Sequence, residues 1–153
     1  MDKKVVATNR KARRNYQLFE RLEVGIALRG DEVKSLRQGK CSIDESFARP
    51  EKGELFLYNM HISEFEKSSY FKSQPKRPRK LLLHRREISH LIGLISQKGY
   101  TLIPLQVYFN EKNIVKVELA LAKGRRAFDK RRKIKEEYQK REVQRQIKRY
   151  WSR

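Results

Sequence analysis

Three histidines, one cysteine and the adjacent carboxylates Asp44 and Glu45 are the residues of this 153-residue chain that could hold a metal or move a proton. Their spacing speaks against both. His84 and His90 stand six apart, whereas ligands on one helix face recur at i and i+4, and His61 lies in another context. A lone Cys41 rules out an internal disulfide and a cysteine-based zinc site, and it suits a reducing compartment. Asp44 and Glu45 flank a predicted strand, where neighbouring side chains face opposite ways. The glycines of RGDEVKSLRQGK have neither the GxxxxGKS/T spacing of a phosphate loop nor a preceding parallel strand. No catalytic arrangement, metal centre or cofactor is expected.

Cation is what the chain has in excess. Its 38 Lys and Arg oppose 18 Asp and Glu, a net charge of +20, well beyond the magnitude of about 2 to 8 that solubility asks of a small domain. A polyanion is the partner such a balance serves, nucleic acid first and an anionic membrane surface second. The cations form three sets: an amino-terminal arm with Arg10, Lys11 and Arg13, the Lys72–Arg86 region with Lys76, Arg77 and Arg79, and the tail from Lys123. Each can neutralise phosphates with release of counterions. Tyr70, Phe71 and Phe128 lie beside cations and outside the apolar runs, as stacking platforms for exposed bases would. No apolar run nears the roughly 20 residues of a membrane span, and the basic start has no secretory apolar stretch, so a cytosolic location is expected.

These groups need a scaffold, and 153 residues allow one ordinary core with appendages. Residues 1–14 read as a mobile basic arm. Tyr16, Leu18, Leu22, Val24, Ile26 and Leu28 repeat with period two, interrupted at Glu20, and predict a strand. DEVKSLRQG predicts a short helix with Asp31 as cap, Val33 and Leu36 on one side and Gly39 as stop. A hairpin follows around RPEKGE, with Phe56, Tyr58, Met60 and Ile62 on one side and Leu55 and Leu57 on the other. Residues 66–80 read as a polar loop. Ile88, Leu91, Ile92 and Ile95 mark a helix ended by Gly99. Thr101, Ile103, Leu105, Val107 and Phe109 alternate, NEKN turns, and Val115, Val117, Leu119 and Leu121 alternate back. Closely spaced antiparallel strands with one separating helix predict a mostly β fold with peripheral helices, an OB-like closed antiparallel barrel over residues 15–122; an open α+β sheet is the competitor.

The segment 123–153 differs in kind. It has 14 Lys or Arg and 4 Asp or Glu, so its net +10 is half of the chain's +20. Its apolar residues are too few to offset ordering costs of about 1–2 kcal/mol per residue, which predicts a tail disordered when free. Neutralising its cations would favour a helix.

The stretches ATNRKARRNY, GDEVKSLRQGK, KLLLHRREI, KGYTLIPL and LALAKGRRAFDKRR resemble, in order and spacing, those of the small protein B family, the SsrA-binding proteins. The likeness runs from Ala7 to about Lys135. It implies an OB-like barrel that binds transfer-messenger RNA (SsrA RNA) and delivers it to stalled ribosomes for trans-translation, without bond chemistry of its own, acting as a monomer. By the same resemblance Glu32, Leu82 and His84 stand where the family binds the tRNA-like part of that RNA. Glu32 is expected to orient neighbouring cations such as Lys34 or Arg37 at that surface, the alternative being that it accepts from a 2′-hydroxyl or a base amine. Lys123, Gly124, Arg125, Arg126, Phe128, Asp129, Lys130 and Arg131 resemble the segment that probes the decoding centre and empty message channel of the small subunit, with the following residues helical on the ribosome. Two other classes fit the composition: a structural component of the ribosome, and an RNA-processing enzyme.

Overall fold

The computed structural model describes residues 3–65, 72–124 and 141–145. Nine strands and three helices follow in the order β1 (Lys4–Thr8), α1 (Ala12–Asn15), β2 (Tyr16–Ile26), α2 (Gly30–Arg37), β3 (Cys41–Ser42), β4 (Phe47–Glu51), β5 (Glu54–Tyr58), β6 (His61–Ile62), β7 (Arg79–Leu82), α3 (Arg85–Lys98), β8 (Thr101–Phe109) and β9 (Val115–Gly124). Residues 141–145 are helical as well.

The sheet runs β1-β8-β4-β5-β7-β2-β9, every pair antiparallel, and β8 also pairs with β9. That last pairing closes six strands into the OB-like barrel, leaving β1 attached outside the ring. Closure removes the unpaired edges that an open sheet would carry. β3 and β6 form a separate two-stranded ribbon through Cys41–Ile62 and Ser42–His61.

The strands form where period two is clearest, and their parity switches where the backbone demands it. In the β4–β5 hairpin Lys52 and Gly53 have φ of 51° and 77°, the left-handed pair of a tight hairpin turn. Leu55 and Leu57 point inward, then Asn59 at φ 61° resets the phase so that Met60 and Ile62 become the buried pair. The expected single face of Phe56, Tyr58, Met60 and Ile62 is thereby corrected. A register shift between Pro104 and Gln106 does the same in β8. Leu102, Val107 and Phe109 enter the barrel interior, whereas Ile103 and Leu105 join Ala12, Ala120 and Ala122 in a second cluster outside it. β9 carries no such shift, and Val115, Val117, Leu119 and Leu121 all line the interior as expected.

Of the mobile arm expected over residues 1–14, the part from Lys4 is packed instead. Lys4–Thr8 form β1 against the second half of β8, and the Asn9 N–H donates to the Leu105 carbonyl at 2.8 Å. Ala12, 1% exposed, seats α1 on the outer cluster, where Ala120 and Ala122 leave room for its backbone. At the other end β9 continues through Lys123 and Gly124, opposite Gln17 and Tyr16, so the barrel extends two residues further than expected. The remaining expectation for the tail, disordered when free, lies outside the described residues except at 141–145.

Candidate nucleic-acid interface

The most connected polar group sits under the α2 amino terminus. Glu32 is 2% exposed. Its Oε1 accepts from the Arg29 N–H at 2.8 Å, so Glu32, rather than the expected Asp31, satisfies that end of the helix. The same oxygen accepts from Arg77 Nη2, and Oε2 accepts from Arg77 Nε at 3.1 Å and from Arg79 Nε at 2.6 Å. Arg79 is fully buried and spends its other donors on the Met60 carbonyl at 2.6 Å and the Pro75 carbonyl at 3.0 Å. Beside it, Asp31 accepts from the Ser73 N–H at 2.9 Å and from the Ser73 hydroxyl at 3.0 Å. Two successive carboxylates thus tie α2 to the 72–79 segment.

Burial raises the Glu32 carboxyl, but the Arg77 bonds, the Arg29 N–H and the charge of Arg79 outweigh it and hold the group below its ordinary range. Asp31 is likewise raised by burial and drawn below its ordinary range by Ser73. Burial pulls Arg79 down, against Glu32, which raises it; an arginine stays charged through such a shift. Glu32 alone thus faces two guanidiniums, with the Asp31 carboxylate beside them on Ser73. Its partners are Arg77 and Arg79, and not the Lys34 or Arg37 expected from sequence; Lys34 and Arg37 are exposed on α2, with Lys34 Nζ 5.5 Å from the Phe65 ring centroid. Arg79 and Glu32 lie too deep to touch a partner directly. Lys76 is exposed and Arg77 is one-fifth exposed, so the segment presents these two cations outward.

Leu82 stands on β7 with 51% of its surface exposed, a large apolar side chain left bare. It lies over Gly25, its cross-strand partner on β2. A Cβ at Gly25 would come within 3.2 Å of the Leu82 Cβ, so glycine is what lets Leu82 lie flat there. Glu23, two residues along β2, shares that outward face and accepts from the Tyr108 hydroxyl. Burial, then Glu23, raises the Tyr108 phenol. No sequence signal singles out Glu23, an outward Glu among many. His84 follows β7 as the exposed N-cap residue of α3, with no side-chain cap bond.

The cations of the amino-terminal segment form a separate set. Arg10 and Arg13, with Arg21 of β2, border a cavity of about 320 Å³ that also touches Asn9, Gln106 and Glu118. Arg21 Nη1 lies 3.8 Å from Glu118 Oε1, while Lys11 points to Glu45 at 3.5 Å. Lys123 and Gly124 belong to β9, with Lys123 Nζ 5.8 Å from the Tyr100 ring centroid. Arg125, Arg126, Phe128, Asp129, Lys130 and Arg131 lie outside the described residues, as do Tyr70 and Phe71. Among the described residues no three His, Cys, Asp or Glu gather as metal ligands, and no helix is long and apolar enough to cross a membrane. Burial pushes the half-buried Cys41 thiol up to about 12, against the lowering charge of Arg79, which keeps it protonated near neutrality.

The chain as a whole is similar to known proteins. A relative from Rickettsia canadensis (strain McKiel), named SsrA-binding protein, is 57% identical over 145 residues, 95% of each chain. One from Rickettsia bellii (strain OSU 85-389), of the same name, is 54% identical over 95% of this chain and 96% of its own. A solved chain described as "tmRNA-SmpB: a journey to the center of the bacterial ribosome" superposes with a TM-score of 0.65 at 53% identity, covering 78% of this chain and 84% of that one. The family model described as SmpB protein matches residues 6–149, and the chain belongs to that family.

Proposed function

We propose that the protein binds transfer-messenger RNA and carries it to stalled ribosomes, acting by binding alone in the cytoplasm where ribosomes work. The observation that carries this reading is the Glu32 brace: a buried carboxylate fixes Arg77 and, through Arg79, the whole 72–79 segment beside the exposed Leu82. A structured RNA is recognised by shape, phosphates and 2′-hydroxyls. Lys34, Arg37, Lys76 and Arg77 supply the cations, Leu82 an apolar footing, and His84 and Glu23 polar groups for sugar or base edges. Glu32 and Arg79 act as positioning residues beneath that face. The names of the relatives and of the solved neighbour support the same partner. The tail from Lys123, with its net +10, probes the decoding centre and message channel, which is open to it only when message is absent.

The two parts separate in one experiment. Deleting residues 125–153, beyond the end of β9, should leave transfer-messenger RNA affinity within about tenfold, roughly 1.4 kcal/mol, and abolish peptide tagging on stalled ribosomes. Normal tagging by the truncated chain would refute the division of labour. Cosedimentation at rising salt separates this reading from a permanent ribosomal component, which would stay with subunits throughout.

A further inference from the structure

A second cavity, of about 170 Å³, opens where α1 meets the start of β4. At roughly 30 Å³ per molecule it has room for five or six waters. Its lining includes Asn9, 8% exposed, and Ser46, 5% exposed. Asn9 Oδ1 and Ser46 Oγ are buried, and among the described residues neither has a hydrogen-bond partner. Buried polar atoms in folded proteins are nearly always paired, so two on one cavity ask for a ligand or an ordered water. Asn9 itself is fixed: its Nδ2 donates to the Pro104 carbonyl at 3.0 Å, which leaves Oδ1 as a preset acceptor.

Asp44 and Glu45 line the cavity against one lysine, Lys11, which disfavours a phosphate. One wall is the Phe47 ring, held by stacking on Tyr58 at 5.6 Å and 18°. A planar group bearing N–H donors matches an aromatic wall with acceptors along it. Asn9 also borders the cavity of Arg10, Arg13 and Arg21, so acceptor-lined and arginine-lined cavities adjoin. Resting on the reading that RNA is the partner, we propose that these adjoining cavities hold one unstacked nucleotide: its phosphate on Arg10 and Arg13, its base in the cavity of Asn9, Ser46 and Phe47. The acceptors select a base with an exocyclic amino group, guanine best, because N1–H and N2–H present two adjacent donors. Uracil lacks that amino group.

Isotope-labelled full-length protein titrated with guanosine, adenosine, cytidine and uridine, which carry no phosphate, tests the base cavity by NMR. Guanosine should shift the Asn9 side-chain amide and the Ser46 and Phe47 amides at millimolar concentration, and uridine should not. Ser46→Ala removes an unpaired buried hydroxyl, so it should leave the Tm unchanged or higher and weaken guanosine about tenfold; a purely structural serine would not give that pair of results. No shifts would mean that the cavity holds only water, whereas equal shifts with uridine or undiminished guanosine binding by Ser46→Ala would mean that Asn9 and Ser46 select no base; each of these results would overturn the proposal. Photo-crosslinking the full chain to transfer-messenger RNA and to small ribosomal subunits identifies the source. Crosslinks within residues 43–49 that Ser46→Ala removes in either arm support the site, and their absence from both arms sinks it. Failure of the chain to bind transfer-messenger RNA at all would instead refute the function proposed above, while the guanosine titration would still decide the base cavity independently.

Discussion

Arg79 Nε donates to Glu32 Oε2 at 2.6 Å across 47 residues of sequence, and both side chains are almost wholly withdrawn from water. The pair joins the first helical turn of α2 to β7, and Arg79 reaches on to Met60 and Pro75. Removing one partner strands a buried charge, which costs about 3–5 kcal/mol. Glu32→Ala should therefore lower stability by that amount in urea unfolding and weaken RNA binding as the 72–79 segment loosens, with Glu32→Gln affected less. Wild-type stability in Glu32→Ala would show that the cluster braces nothing.

Acid should release the same brace. Asp31 and Glu32 titrate below their ordinary values of 3.8 and 4.5 when folded. Between folded and ordinary values the unfolded chain binds more protons, so stability falls as pH falls there. Their contribution is complete above about pH 4.5 and is lost as pH drops through the lower folded values. Thermal unfolding from neutral pH downward should show the gap between wild type and Glu32→Gln closing at the acid end. A constant gap would contradict this.

Gly25 and Leu82 should act as a unit. A methyl at Gly25 pushes Leu82 from its seat at 3.2 Å, so Gly25→Ala and Leu82→Ala should each weaken transfer-messenger RNA binding by several fold. The double variant should lose little more than either alone, since contacting residues are not additive. Fluorescence-anisotropy titrations of the three variants read this out, and full additivity would separate the residues.

Arg13→Ala should reduce affinity evenly across RNA sequences and make the slope of log K against log salt shallower by up to about 0.9, as one lost phosphate contact does. Arg49 offers the contrast: also exposed, it is spent on Glu51 at 3.2 Å and on the Tyr58 ring at 4.9 Å. An unchanged slope in Arg13→Ala would remove Arg13 from the RNA path.

The strands β2, β8 and β9 and the inward face of α3 were legible because apolar spacing reports burial directly. Two kinds of feature were not. Strands β1 and β7 hide among cations: Val5–Thr8 sits between Lys3, Lys4 and Arg10, and β7 begins after a basic stretch rich in proline. Charge marks where a chain meets solvent or a partner, and it says nothing of backbone pairing. Parity was the second loss. One residue added near Leu105 of β8, or one positive φ at Asn59, exchanges the faces of a strand while the alternating letters continue. At the site, the family motif singled out Glu32, but its true partners lie 45 and 47 residues away. Nothing local to GDEVKSLR points to them. An arginine counted as a free cation, Arg79, is the one side chain of that set that never sees solvent.

The ring closed by β8 and β9 also governs how this chain matures. β9 pairs with β2 across roughly a hundred residues, and such distant pairings form slowly because loop entropy must be overcome first. Until Val115–Gly124 is in place, β2 and β8 each keep a long apolar edge open, the kind that recruits other strands into aggregates. A copy of this protein truncated before that strand would therefore be a poorly folding product and an early target for proteolysis.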